Sequence, residues 1–262
     1  MSNYTRWITL YKKGLGHASF VRIVLYKSNV NMKKLLITTL LGLSVSIAGA
    51  AEKKRQLLIF VGEGNMFGVR PEKVVIPELK KEKSLRGNEL KVAWAVENYL
   101  PVSSLDEEWK PADPKAKKVK RVGELYKRLF EKVKRSAGKK EYETVVLYWY
   151  QGASDARNEQ GAEYAASVER VIKRLEADLK LGTINVVMTG LTDSKKETRQ
   201  YKDWDVIRKA QQKLAQKNKK WTFVSTDELN GPANKLKLTN QGFKQLGADY
   251  AASALTFIPK EK

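Results

Sequence analysis

Two hydrophobic patterns alternate along the chain. Residues 56–61 are a continuous apolar run closed by Gly62, Glu63, Gly64 and Asn65, which reads as a buried strand ending in a tight turn. Residues 144–151, 184–191 and 221–225 repeat that pattern, and residues 90–96 add a further strand. Between these runs the apolar positions recur at helical spacing. Val119, Val122, Leu125, Tyr126, Leu129, Phe130 and Val133 share one helical face, and so do Tyr164, Val168, Val171, Ile172, Leu175 and Leu179. Trp204, Ile207, Gln211 and Leu214 form a third face, and Phe243, Leu246, Tyr250 and Leu255 a fourth. Buried strands alternating with amphipathic helices predict βαβ units, hence a parallel sheet covered on both faces in a three-layer α/β/α sandwich. The strand at 56–61 is expected at the centre of that sheet. Residues 69–118, rich in Lys, Pro and Glu, read as an insertion or long loop with one or two strands. Parallel-sheet folds carry their sites at the carboxyl ends of the strands, which here are the turns at 62–66, 151–155, 191–194 and 226–237.

The N-terminus changes the picture of which residues fold. From Met32, Lys33 and Lys34 form a basic stretch, residues 35–47 an apolar core, and Ala48, Gly49 and Ala50 offer small residues for cleavage. The core is too short to span a bilayer comfortably, since a spanning helix needs about 20 apolar residues. Residues 32–50 therefore read as a signal peptide, residues 1–31 as the product of a start assigned too early, and residues 51–262 as one exported domain, periplasmic or extracellular. A retained N-terminal membrane helix is the alternative. No other membrane association is expected.

Charge and composition follow from that division. The 262 residues carry a formal net charge of +21, and residues 1–50 hold seven basic and no acidic residues. The remainder keeps 43 basic against 29 acidic residues, a net of +14. Such a field attracts anionic glycans, lipid head groups or nucleic acid. The basic residues are scattered without interleaved aromatics, so a specific nucleic-acid site is not expected. There is no cysteine, which removes disulfides, cysteine nucleophiles and thiolate metal sites. The single histidine, His17, lies upstream of the signal, so residues 51–262 contain none. No metal site and no cofactor is expected.

The strand-end turns carry a family resemblance. They read Gly62-Glu63-Gly64-Asn65-Met66, then Trp149-Tyr150-Gln151-Gly152-Ala153-Ser154-Asp155, and finally Asn234-Lys235-Leu236-Lys237-Leu238; Ile207-Arg208-Lys209-Ala210-Gln211 lies between the last two. In this order they resemble the Gly-Gln-Ser-Asn-Met, Gln-Gly-Glu, Val-Arg-x-Ala-Gln and Asp-x-x-His-Leu motifs of the sialate O-acetylesterase and related carbohydrate esterase families of the SGNH hydrolases. The resemblance runs over nearly all of residues 56–255. It implies a flavodoxin-like sheet and an ester hydrolase of acetylated sugars, and it places the family's catalytic groups on this chain. The nucleophilic serine falls on Gly64, the glutamate of Gln-Gly-Glu on Ala153, the aspartate on Asn234 and the histidine on Lys237.

None of those four can do the family's work. A serine esterase needs a hydroxyl, a base to take its proton and an orienting carboxylate. Glycine has no side-chain oxygen, and lysine is normally a cation with no acceptor. The resemblance leaves the Gly64 N–H and the Gln151 side chain where the family has oxyanion donors, with Asn65 and Gly152 keeping the turns. A catalytically inactive relative that binds a glycan, acetylated or acidic, or another oxygen-rich ligand at the old site is the leading expectation, with Glu63, Gly64, Asn65, Gln151, Asp155 and Lys237 as candidate contacts. The rivals are an active O-acetylesterase with a non-standard site, and a basic envelope-interaction protein whose pocket is idle. An ion pair between Lys237 and Glu63 or Asp155 is expected if the vacated site has been rebuilt.

Overall fold

A computed structural model describes residues 54–112, 119, 121–194 and 200–259 in full, and the backbone of residues 7–10 and 21–24. The chain divides into two compact units, residues 1–52 and 53–262. In the first, strands β1 (Trp7–Leu10) and β2 (Val21–Val24) pair antiparallel, with Trp7 opposite Val24. The signal expected at 32–50 lies outside the described residues.

The second unit is built on five parallel strands, β3 (Arg55–Gly62), β4 (Glu89–Val96), β5 (Thr144–Tyr150), β6 (Ile184–Thr189) and β7 (Trp221–Val224), in the order β4-β3-β5-β6-β7. This is the flavodoxin-like order, in which the chain reverses direction across the sheet beside its first strand. The middle strand is β5 rather than the run at 56–61 expected there. Both are interior, and every residue of β5 and all of β3 but Arg55 is buried, which is why each reads as an unbroken apolar run. β4 takes the edge, and its first half is only half-buried.

Helices cover both faces. α3 (Tyr126–Ala137), α5 (Gly161–Leu179) and α6 (Trp204–Lys217) pack in succession along one face, while the short α1 (Pro71–Val74) and α2 (Ile76–Leu79) pack with α7 (Asn240–Leu255) on the other. Side chains alternate between these layers along β5. Tyr148 stacks on Phe60 at 4.4 Å and meets Tyr250 of α7, whereas the Trp149 Nε1–H donates to Tyr164 of α5. The helix expected from residue 119 begins at Tyr126. Gly123 and Leu125 upstream of it give their N–H groups to the Ser103 and Ser104 carbonyls instead. Residues 69–112 hold β4 as their single strand among short helical turns.

Candidate functional site

Five connections leave the carboxyl ends of the strands: a 3-10 turn (Gly64–Gly68) after β3, residues 97–105 after β4, the turn into α4 (Ala153–Arg157) after β5, residues 190–194 after β6, and residues 225–239 after β7. What locks them together is a set of side chains acting on backbone groups. Gln211 of α6 gives its Nε2–H to the Gln151 carbonyl at 2.7 Å and accepts the Leu191 N–H at 2.9 Å, so one amide fixes the turns after β5 and β6. Tyr164 donates to the same Gln151 carbonyl at 3.0 Å. Gly152 fits beneath them because it has no side chain. Its φ of +133° belongs to glycine, and a Cβ would lie 2.8 Å from Ile207.

Asn65 is a second clasp. Its Nδ2 donates to the Leu236 carbonyl at 2.7 Å and to the Tyr150 hydroxyl at 3.2 Å, while its Oδ1 accepts the Leu238 N–H at 3.1 Å. The loop before α7 is thereby tied to the turn after β3, across 171 residues of sequence. Burial pushes the Tyr150 phenol up to about 12.

Two buried carboxylates form the floor. Glu63 Oε1 accepts the N–H groups of Ser154 at 2.8 Å and Gly152 at 3.2 Å, and its Oε2 accepts the Leu100 N–H at 2.9 Å and the Ser154 hydroxyl. Asp155, fully buried, accepts the Val102 N–H at 2.9 Å on Oδ1 and the Gln151 amide on Oδ2. Burial, and then the neighbouring Glu63, hold the Asp155 carboxyl well above the usual carboxylate range. The Gln151 Nε2 also donates to the Leu100 carbonyl at 2.6 Å. Its donors are therefore spent inward, and its buried Oε1 is left without a partner. In place of the oxyanion donor expected from the family pattern, Gln151 offers an orphan acceptor. Residues 100–102 contribute only backbone here, which no sequence motif announces.

Over this floor opens a cleft of about 1230 Å³. Among the expected residues, Glu63, Gly64, Asn65, Gln151, Ala153 and Lys237 line it; Asp155 lies beneath and Asn234 is not in the lining. Asn234 adopts a left-handed φ of +45°, and its carbonyl accepts the Ser194 hydroxyl at 2.8 Å. Gly64 has a φ of +55°, and a Cβ there would meet nothing within 4 Å, so the space above it belongs to the cleft. Among the described residues no ion pair joins Lys237 to Glu63 or Asp155. Lys237 is exposed, and both carboxylates already receive backbone N–H donors, so the expected charge compensation is absent. The described residues contain no group of three or more His, Asp or Glu placed to hold a metal. The sequence reading missed Arg70, Lys73 and Lys244 in the lining, since nothing in their local pattern separates them from the chain's many other cations.

A doubly wound sheet whose strand-end turns enclose a cleft at the point where the strand order reverses defines the open α/β class that holds its ligands in that crevice. A family model described as carbohydrate esterase, sialic acid-specific acetylesterase, matches residues 101–256, and the chain belongs to this family. A search of curated proteins finds no match. Among solved structures, a protein of Arabidopsis thaliana is similar over 78% of this chain and 99% of its own, at 18% identity and a TM-score of 0.53. A carbohydrate esterase family 2 enzyme with a carbohydrate-binding domain, from Corynascus thermopiles (Myceliophthora fergusii), covers 92% of this chain and 72% of its own at 12% identity and a TM-score of 0.41. The Arabidopsis structure supports the fold alone.

Proposed function

We propose that this chain is a non-hydrolysing relative of the carbohydrate esterases that binds a glycan, acetylated or acidic, or another oxygen-rich ligand in the cleft above Gly64. The observation that carries this reading is the open space at Gly64. The turn is built and its partners are in place, yet the position that faces the cleft has no side chain. A base is missing as well, because residues 51–262 contain no histidine and, among the described residues, no ion pair holds Lys237. The hydroxyl nearest the floor, Ser154, is no substitute. It is 6% exposed, lies outside the cleft lining and donates to Glu63. Glu63 already accepts three backbone N–H groups and the Ser154 hydroxyl, so both of its oxygens are engaged in holding the turns.

Two measurements on the purified protein test this. Acetate release from O-acetylated sialic acid, acetylated xylan fragments and an activated aryl acetate is expected to match a no-protein control. Calorimetric titration with sugars and anions is expected to show saturable binding. Saturable acetate release, abolished by changing Glu63 or Lys237, would make the chain an active esterase. Absence of any binding would leave a basic protein with an idle pocket. We further propose export, with cleavage after Ala50, supported by the basic, apolar and small-residue succession at 32–50. Mass spectrometry of the protein from its host should find Ala51 first, and peptides from residues 1–31 in the mature protein would refute it.

A further inference from the structure

Four cations line the cleft: Arg70 at the start of α1, Lys73 within it, Lys237 in the loop before α7, and Lys244 on α7. All four are exposed, and among the described residues none pairs with an acid. The two acids of the lining are otherwise engaged. Glu63 is held by its four donors, and Glu78 pairs with Lys81 at 2.6 Å. The cations are held together by packing. A Cβ on Gly68 would come within 2.1 Å of the Phe243 ring, and a Cβ on Gly247 within 2.6 Å of Val74. These contacts press α7 against α1 and the turn before it, and Lys73 and Lys244 both line the cleft beside that packing.

Like charges around one water-filled cleft repel one another, with screening over only about 8 Å at physiological ionic strength. A single carboxylate would relieve part of this field. The cleft volume also exceeds the roughly 300–1,000 Å³ of an ordinary small-ligand site. Phe67, 44% exposed among the lining residues, adds an apolar surface for the face of a sugar ring.

We propose that the cleft takes a multiply anionic saccharide, carrying at least two carboxylate or sulfate groups along its length, bound through Arg70, Lys73, Lys237 and Lys244. This inference rests on the glycan-binding reading above and narrows its ligand, acetylated or acidic there, to a multiply acidic one. Recognition by these side chains needs neither a nucleophile nor an oxyanion donor, in keeping with Gly64 and with the inward-turned Gln151 amide.

The test is calorimetry on the full-length chain with a trigalacturonate, its methyl ester, and a sulfated and an unsulfated maltotriose. Each acid is expected to bind more tightly than its neutral counterpart, by about tenfold or more, and to weaken as salt is raised. The preferred acid tells carboxylate from sulfate. Lys73→Gln with Lys244→Gln is expected to weaken binding about five- to twentyfold, from up to about fivefold for each exposed ion pair. Arg135→Gln with Lys139→Gln, at the far end of the sheet, removes the same charge and is expected to leave binding unchanged. Equal binding of ester and acid, insensitive to the cleft substitutions, would retain a glycan site and overturn its anionic character. An equal effect of both double variants would assign binding to the general field of a basic protein and also overturn it. Failure of all four sugars to bind would overturn this inference and the glycan reading together.

Discussion

Replacing Glu63 by Gln changes one atom in a buried floor, and its effect can be worked from the hydrogen bonds. The amide oxygen can keep the Gly152 and Ser154 N–H groups now on Oε1. The amide nitrogen then faces the Leu100 N–H and the Ser154 hydroxyl now on Oε2. The hydroxyl can rotate to accept, but the Leu100 N–H has no such freedom, and a buried donor left unpaired costs about 1–3 kcal/mol. The two retained bonds lose their charge assistance, at about 1 kcal/mol each. Removing a buried anion beside Asp155 returns part of this by relieving desolvation and repulsion. The expected net loss is about 2–4 kcal/mol. Urea unfolding of the wild type and Glu63→Gln would read it as a lower midpoint at unchanged slope. High salt should leave the difference intact, because contacts buried in the floor are screened little. An unchanged or higher midpoint would refute the reasoning, since Glu63 would then be a strained group retained for a ligand rather than the residue that holds the turns.

Three further outcomes follow from the same contacts. Gly64→Ser should fold, with about 1–2 kcal/mol of strain from its left-handed backbone, and should release no acetate; adding Lys237→His and Asn234→Asp is the smallest set expected to yield any turnover in a chromogenic acetate assay. Asp155 has its folded pKa raised, so its contribution to stability is full below the ordinary value of 3.8 and is lost as pH rises through the folded pKa. Unfolding midpoints from about pH 4 to pH 8 should therefore decline less steeply in Asp155→Asn than in the wild type, and parallel curves would show that Asp155 does not titrate in that way. Asn65→Ala leaves the buried Leu238 N–H unpaired, so amide exchange there should quicken by about tenfold or more while β5 amides keep their protection.

The sheet was legible because its strands are covered on both faces and so appear as apolar runs bounded by glycine. The strand order was not, since the position of β4 outside β3 depends on how the chain crosses the sheet rather than on any residue in either strand. The converging turns were legible through their motifs, as was the vacancy at Gly64. The roles of Glu63 and Gln151 were not. Beside the position of the family's nucleophile, Glu63 suggested a partner for Lys237, yet three of its four donors are backbone N–H groups, of Leu100, Gly152 and Ser154, invisible to a reading of side-chain types. Gln151 reads as a donor by its place in the motif, while its actual direction is set by the Leu100 carbonyl and by Asp155.

The positions kept and lost in this chain separate by mechanical duty. Asn65, Gln151 and Gln211 match the family pattern, and each makes at least two hydrogen bonds that together tie one strand-end turn to another. Gly64, Ala153 and Lys237 depart from it, and all three line open cleft. No neighbour lies within 4 Å of a Cβ at Gly64, and Lys237 forms no ion pair among the described residues. Groups that protrude into a cleft in order to react contribute little to the packing around them, so their loss costs the fold little. Groups that hold the turns cannot be lost without orphaning buried N–H or C=O groups at about 1–3 kcal/mol apiece. Stability alone is therefore enough to preserve the frame, whatever the positions facing the cleft carry. Glu63 is the informative exception, because it departs from the family's glutamine and is nevertheless tied by four donors. Ala153 stands in place of the family's glutamate, and the floor takes its carboxylates from Glu63 in the turn after β3 and Asp155 in the turn after β5. Both serve the backbone, and the mouth of the cleft is left to its cations.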